Sequence, residues 1–484
     1  MGNIMVNDKN KLAIGVVFFA FFSFLSLPLG YVRNWLLSSI SIEFVSAFAS
    51  INIFIGLVNT FFVFGATNVY STFLPKIKDP SKQSQFVFSS YLNSAILMIL
   101  MSVVFFLYYS KLPNNIIGTL QISNWLLVFF FIIFYGFGQT GVNTLIGLRE
   151  YKLSAILNSA QILFVTVFLL LITIGLLPKF VGYEFNTFLC LIGSVWCFVF
   201  VIFLCYFVPR KGFHIKYYLP KGYWSQAFFV HLGTILTFLY GYADQILVLG
   251  YLGEMELAQY FLIVQIASLI TFLPIRLGNV FQSGFSTILA DNTQKANLEL
   301  TLQYNKIARY ILLLTFLISS VLVLFNREIL SIFSNNLELN SLCFLLLVIR
   351  YFIGSLGNIH SMIIISKEKN LSFFLMNTYM VIIQIVLSLI FVRTHGVLGI
   401  VVSFIISTII AQLNLAYLLV KKCRIQHFDI KILFIVFLLL IVLIFLSFVF
   451  VDIFARIALL VFAVFIVVRL LKTDIFYLIK MFVK

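Results

Sequence analysis

The chain has 484 residues, 62% hydrophobic and 10% charged, with a mean hydropathy of +1.11 and a formal net charge of +16. A chain this apolar is not a soluble globular protein, because its uninterrupted apolar stretches are long enough to cross a bilayer. The positive charge does not point to nucleic acid, since the basic residues are distributed between the apolar stretches as membrane topology requires.

Fourteen candidate spans follow in chain order: 12–32, 44–66, 86–109, 122–145, 153–177, 185–208, 225–249, 258–281, 310–326, 342–365, 373–392, 396–420, 432–451 and 454–471. The ninth is short. The fourteenth has Arg456 and Arg469 at its ends, which are expected to snorkel to water. With these spans, 24 of the 32 Lys and Arg fall on one side and six on the other, so that side is cytoplasmic and both termini lie there. The two remaining, Arg276 and Arg350, lie inside spans. The basic loops also suit an anionic inner leaflet. The first span follows a charged start without a small-residue cleavage site, so it reads as an uncleaved anchor. The fold class is therefore an all-α polytopic membrane protein of about 14 transmembrane helices.

An internal repeat organises these spans. Gly30-Tyr31-Val32-Arg33-Asn34 returns 211 residues later as Gly241-Tyr242-Ala243-Asp244-Gln245. The register holds without a gap through Glu43/Glu254, Thr60-Phe61/Thr271-Phe272 and Asn68-Val69/Asn279-Val280. Over 30–70 there are ten identities, of which the polar ones carry the weight because apolar residues match by chance in such chains. The unit is six spans, an even number, so both copies keep one orientation about an axis along the membrane normal. The fourth span of each copy repeats more faintly, Gly138, Gly141 and Asn143 resembling Gly354, Gly357 and Asn358. The domains are an N-lobe at 1–213, a cytoplasmic linker at 214–224, a C-lobe at 225–424, and two appended spans at 425–484. The long connection at 282–309 reads as a polar helix entering the ninth span.

No loop has room for a soluble catalytic domain, and no nucleotide-binding, metalloprotease or nucleophile-elbow motif appears. The expectation is no enzyme, no cofactor and no metal. Cys190, Cys197 and Cys205 share one helical face and, with Cys343 and Cys423, read as small packing residues rather than ligands or disulfides.

Charges inside spans are costly and usually face a cavity. Asp244 is the only acid within a span, and reads either as an ion-coupling or gate residue or as a structural partner for a cation. Arg276 and Arg350 read either as cavity cations for an anionic substrate or as interhelical or snorkelling groups. Arg350 heads a stripe of Gly354, Gly357, Asn358 and Ser361, and Arg276 shares a stripe with Asn279. Arg33 ends the first span at the place Asp244 holds in the second copy. The two are expected to form an outer latch. His231 and His360 read as interhelical hydrogen-bonding groups. Asn52, Gly56 and Asn59, and Gly136, Gln139, Asn143 and Gly147, form polar stripes that either line a path or pack helices.

Leu29-Gly30-Tyr31-Val32-Arg33-Asn34 resembles the Leu-Gly-x-x-Arg-Asp run of lipid II flippases, with Asn34 departing from it. The six-plus-six repeat, the two appended spans and the basic linker resemble the polysaccharide and O-antigen flippase branch of the multidrug/oligosaccharidyl-lipid/polysaccharide (MOP) superfamily. The resemblance implies two bundles around a cationic cavity and alternating access. It implies a polyprenyl-pyrophosphate-linked oligosaccharide carried from inner to outer leaflet of a bacterial inner membrane, as in lipopolysaccharide biosynthesis. Arg276 and Arg350, with Arg33, Asn279 and Asn358, would receive the substrate, and Asp244 would couple H+ or Na+. Partners would be the lipid-linked oligosaccharide, membrane lipids and other polysaccharide-assembly membrane proteins, around a functional monomer. The alternatives are a multidrug/cation antiporter of the same fold, disfavoured by two buried Arg against one Asp, and a membrane sugar polymerase, disfavoured by the repeat.

Overall fold

The computed structural model describes residues 25–62, 73–74, 77, 79–109, 125–148, 150–212, 214–275, 294–333, 340–367, 370–425, 430–450 and 452–471, apart from 27 and 273. Arg276 and Asn279 lie outside the described residues, as does the side chain of Asn358.

Helices are the only regular secondary structure among the described residues, with no strand among them. Residues 28–40 form α1, Ile42–Leu57 α2, Pro80–Tyr109 α3, Trp125–Gly147 α4, Tyr151–Thr173 α5, Glu184–Lys211 α6 and Tyr223–Leu252 α7. Glu254–Ala267 form α8, Gln294–Leu324 α9, Asn326–Phe333 α10, Ser341–Gly354 α11, Gly357–Ser366 α12, Asn370–Lys421 α13, Ile430–Val449 α14 and Ile453–Leu471 α15. Eleven of the described helical stretches are long and apolar enough to cross a membrane, and one of them, 371–421, is long enough for two crossings. Its α13 is interrupted at Gly396, whose φ of 58° and ψ of −135° are open to glycine alone, so the two expected spans at 373–392 and 396–420 meet there.

By contact, the chain divides into two compact units, Met1–Phe261 and Leu262–Lys484. In the first unit α4 and α6 pack closely because glycines face aromatic rings. A Cβ on Gly138 would stand 2.6 Å from the Trp196 ring and 2.9 Å from its carbonyl oxygen. One on Gly141 would stand 2.9 Å from Phe203. The membrane-facing surface is plain on α3, where Leu92, Ile96, Ile99, Leu100, Val103, Phe106 and Leu107 are all exposed. The linker is held along α3: the Ser84 hydroxyl donates to the Gly212 carbonyl at 2.8 Å, and the Tyr218 N–H donates to Ser89 Oγ at 2.7 Å. Backbone groups outside secondary structure need partners, and these serines supply them.

Several sequence expectations change. Arg33 does not end its helix. The α1 helix runs on to Ile40, with Leu36, Leu37 and Ile40 buried, so burial carries it past the charge. The α7 helix likewise continues past Asp244 to Leu252. The ninth span is not short, because Gln294–Leu324 is one helix of 31 residues. The tenth is broken at Ser355-Leu356 into α11 and α12. Cys190 and Cys205 are exposed rather than packed, while Cys343 and Cys423 are buried.

Arg456 does not snorkel. It is 2% exposed and reaches Glu328 Oε1 on α10 at 2.6 Å, while its Nε donates to the Phe450 carbonyl at 2.7 Å. The short α10 helix, which hydropathy passes over, places a carboxylate beside the start of α15, so the guanidinium is neutralised inside the protein.

Candidate functional site

In the first unit, the two repeat-related charges both turn toward the helix that follows them. The Arg33 guanidinium lies 4.5 Å from the centre of the Phe48 ring and donates to Asn34 Oδ1 at 3.0 Å. Asp244 is 3% exposed and its Oδ2 accepts from the Tyr260 hydroxyl at 2.7 Å. Phe48 and Tyr260 stand 15 and 16 residues beyond their charges, so the repeat preserves the direction of contact but changes its chemistry. A cation meets a ring face, and a carboxylate meets a hydroxyl proton. Phe48 and Phe261 then meet edge-on, with ring centres 6.1 Å apart. Arg33 thus engages Asn34 and Phe48 here, and Asp244 engages Tyr260, rather than each other.

Deeper in the same unit, α2 ends in a π-helical turn, Val58–Phe62. Such turns displace the backbone register and concentrate at functional sites. Just before it, Gly56 is pressed by α7: a Cβ there would stand 2.6 Å from Tyr242 and 3.1 Å from Phe238. Gly56 is therefore a packing residue. Asn59 is not, because it is exposed while Val58 and Thr60 on either side are buried. Its amide donates to the Tyr135 hydroxyl at 2.8 Å, and Gln139 donates to the same oxygen at 3.4 Å. The Tyr135 ring is stacked on Phe131 and meets Trp196 edge-on, and Trp196 is in turn fixed by donating to Gln161 Oε1 at 3.0 Å. On the α4 stripe, Gly136 packs against Met98 and the Asn143 amide donates to the Gln139 carbonyl at 2.9 Å. His231 is buried and meets Phe61 edge-on.

In the second unit, Arg350 is 6% exposed, with its guanidinium 4.4 Å from the ring centres of both Tyr351 and Phe404. The glycines that follow it serve close packing: Gly354 abuts Thr408 and Gly357 abuts Gln412, both on α13. The Ser361 hydroxyl bonds back to the Gly357 carbonyl at 2.7 Å. His360 fulfils the interhelical reading, since its Nε2 and the Tyr304 hydroxyl are 2.9 Å apart. No group of three or more metal-ligating side chains occurs among the described residues.

No protein-family model matches the chain, and no curated protein matches it. Solved structures do. A lipid II flippase, MurJ, in an inward closed conformation superimposes with a TM-score of 0.68 at 16% identity, over 93% of this chain and 98% of that one. An inward-facing multidrug resistance MATE family transporter of the MOP superfamily gives 0.61 at 14% identity, over 82% of this chain and 96% of that one. The fold is that of the MOP transporters. A MOP superfamily transporter from Pyrococcus furiosus with a binding pocket of reverse polarity gives 0.55 at 13% identity, over 83% of this chain and 93% of that one. Sequence reasoning had no means to find the Asn59–Tyr135–Gln139 cluster as a unit. Its one signal was a pair of polar stripes on different helices, and contact between them is decided by tertiary packing.

Proposed function

We propose that the protein is a flippase that moves a polyprenyl-pyrophosphate-linked oligosaccharide from the inner to the outer leaflet by alternating access. The observation that carries this reading is Arg350, a buried permanent cation within a span of a MOP fold. A guanidinium suits a pyrophosphate because its charge is permanent and its fork can bond two oxygens. The Tyr351 and Phe404 rings lie against the guanidinium, each centre 4.4 Å away, and help to hold it in the interior. Arg276 supplies a second cation in this reading, with Arg33, Asn279 and Asn358 as further contacts. A pyrophosphate and a sugar chain cannot cross hydrocarbon unaided, while the lipid tail stays in the bilayer. A proton or sodium gradient resets the cycle, with Asp244 as the coupling acid, and the site of action is a bacterial inner membrane.

The MATE likeness favours one second reading, a cation antiporter. Against it, the carboxylate of Asp244 already accepts from Tyr260, and no other acid lies in the interior of a candidate span.

Reconstitution with a labelled lipid-linked oligosaccharide, scored by leaflet, tests the proposal. Arg350→Gln is expected to reduce transfer while expression is unchanged, and full activity in both Arg350→Gln and Arg276→Gln would remove the anion-binding role. The latch is tested by charge reversal: Arg33→Asp and Asp244→Arg should each lose transport and the double variant should regain it. Failure to regain it would count against a closed state that pairs them.

A further inference from the structure

We propose that Asn59, Tyr135 and Gln139 form a binding subsite for saccharide hydroxyls in the N-terminal unit. The proposal rests on the flippase reading and names the part of the substrate this unit recognises.

Three observations carry it. First, Asn59 is an exposed amide within the span Ile42–Phe61, and Gln139 is half-exposed within the span Trp125–Gly147. An amide turned toward hydrocarbon loses its hydrogen bonds at a cost of several kcal/mol, on the order of 4–8 for transfer to an alkane. The lipid-facing side of α3 shows how this protein meets acyl chains, with Leu, Ile, Val and Phe. Asn59 therefore opens on water or a polar ligand.

Second, the cluster keeps hydrogen-bonding capacity to spare. Both amides direct an N–H at the Tyr135 oxygen, and among the described residues no hydrogen bond engages the Tyr135 proton or the two amide carbonyl oxygens. Amide and hydroxyl groups together offer donors and acceptors side by side, which matches sugar hydroxyls, each both donor and acceptor. The absence of any charge among the three suits a neutral ligand over a phosphate. Phe131 and Trp196 hold the Tyr135 ring, so the hydroxyl is positioned before a ligand arrives.

Third, the repeat does not preserve this cluster. At the 211-residue offset Asn59 corresponds to Ile270. At the 216-residue offset of Gly138 and Gly354, Tyr135 corresponds to Tyr351 but Gln139 to Ser355. In the second unit the same tyrosine position lies beside Arg350. One copy of the repeat thus offers neutral amides where the other offers a cation.

The test compares two lipids in proteoliposomes, a polyprenyl pyrophosphate bearing an oligosaccharide and the same lipid without sugar. Asn59→Leu and Gln139→Leu should each raise the apparent KM for the sugar-bearing lipid about fivefold, the equivalent of one neutral hydrogen bond. Transfer of the sugar-free lipid should be unchanged. Equal loss on both lipids, or no loss on either, would overturn the subsite and leave the flippase reading standing. Direct calorimetric titration of detergent-solubilised wild type with neutral hexose and N-acetylhexosamine oligosaccharides decides the subsite even if neither lipid is moved. Binding that weakens in Asn59→Leu supports it, and absence of binding to the wild type removes it. Thermal midpoints of the variants check that the fold is intact. Tyr135→Phe, which removes only the hydroxyl, gives a second route if either leucine variant is unstable.

Discussion

The Arg456–Glu328 pair makes an asymmetric prediction. Arg456 is 2% exposed and Glu328 43%, and they meet at 2.6 Å. Replacing Glu328 by Gln strands a guanidinium in the interior with, among the described residues, only the Phe450 carbonyl for company. For a fully buried pair, removing one partner costs about 3–5 kcal/mol. Glu328 is the half-exposed partner of the two, although its Oε2 is itself buried, so about 1–3 kcal/mol is the reasoned figure. Replacing Arg456 by Leu strands the Glu328 carboxylate instead, on a half-exposed side chain that can turn its buried Oε2 out to water, and it puts an apolar side chain where the guanidinium was. That substitution should cost less. The double variant should be more stable than Glu328→Gln alone, because no buried charge remains. Thermal unfolding in detergent measures all four proteins under one condition. Glu328→Gln should lose several degrees, Arg456→Leu fewer, and the double variant should recover most of the difference. If Arg456→Leu is the worse single variant, or if the two losses simply add, the guanidinium is not held by the carboxylate in the way described.

Three further predictions follow from local geometry. Gly138→Ala sets a Cβ 2.9 Å from the Trp196 carbonyl oxygen, which cannot yield as a side chain tip would, so stability should fall by about 1–3 kcal/mol on thermal unfolding. Tyr304→Phe leaves the buried His360 Nε2 without its 2.9 Å partner, and should cost about 1–3 kcal/mol without changing expression of the protein in the membrane. Glu254, outside the spans, has its carboxyl pushed up by burial, with Glu184 adding to the effect. A group raised in the folded state favours folding at low pH and loses that contribution as pH rises through its pKa. Glu254→Gln should therefore unfold at a slightly higher temperature than wild type near pH ~7, with the two converging near pH ~4. A constant gap across that range would refute the carboxyl as its source.

The sequence by itself determined the membrane class and the position of most spans among the described residues, and it carries the repeat as a matter of register. Each of these depends on local physics. Twenty or so apolar residues must span hydrocarbon as a helix, and a six-span repeat is visible as register without any contact being known. Helix breaks were legible only where glycine dictates them, as at Gly396. The break at Ser355-Leu356 and the π-helical turn at Val58–Phe62 carry no such local signature. Tertiary structure alone decided which polar residues touch. Hydropathy assigns Arg456 to water because it counts neighbours in sequence, whereas the carboxylate that holds it lies 128 residues away. The stripe residues Gly56 and Asn59 sit less than a turn apart, yet one is closed by Tyr242 and the other stands open beside Tyr135. Periodicity places residues on a face of a helix; only the neighbouring helix determines whether that face is packed or left accessible to a ligand.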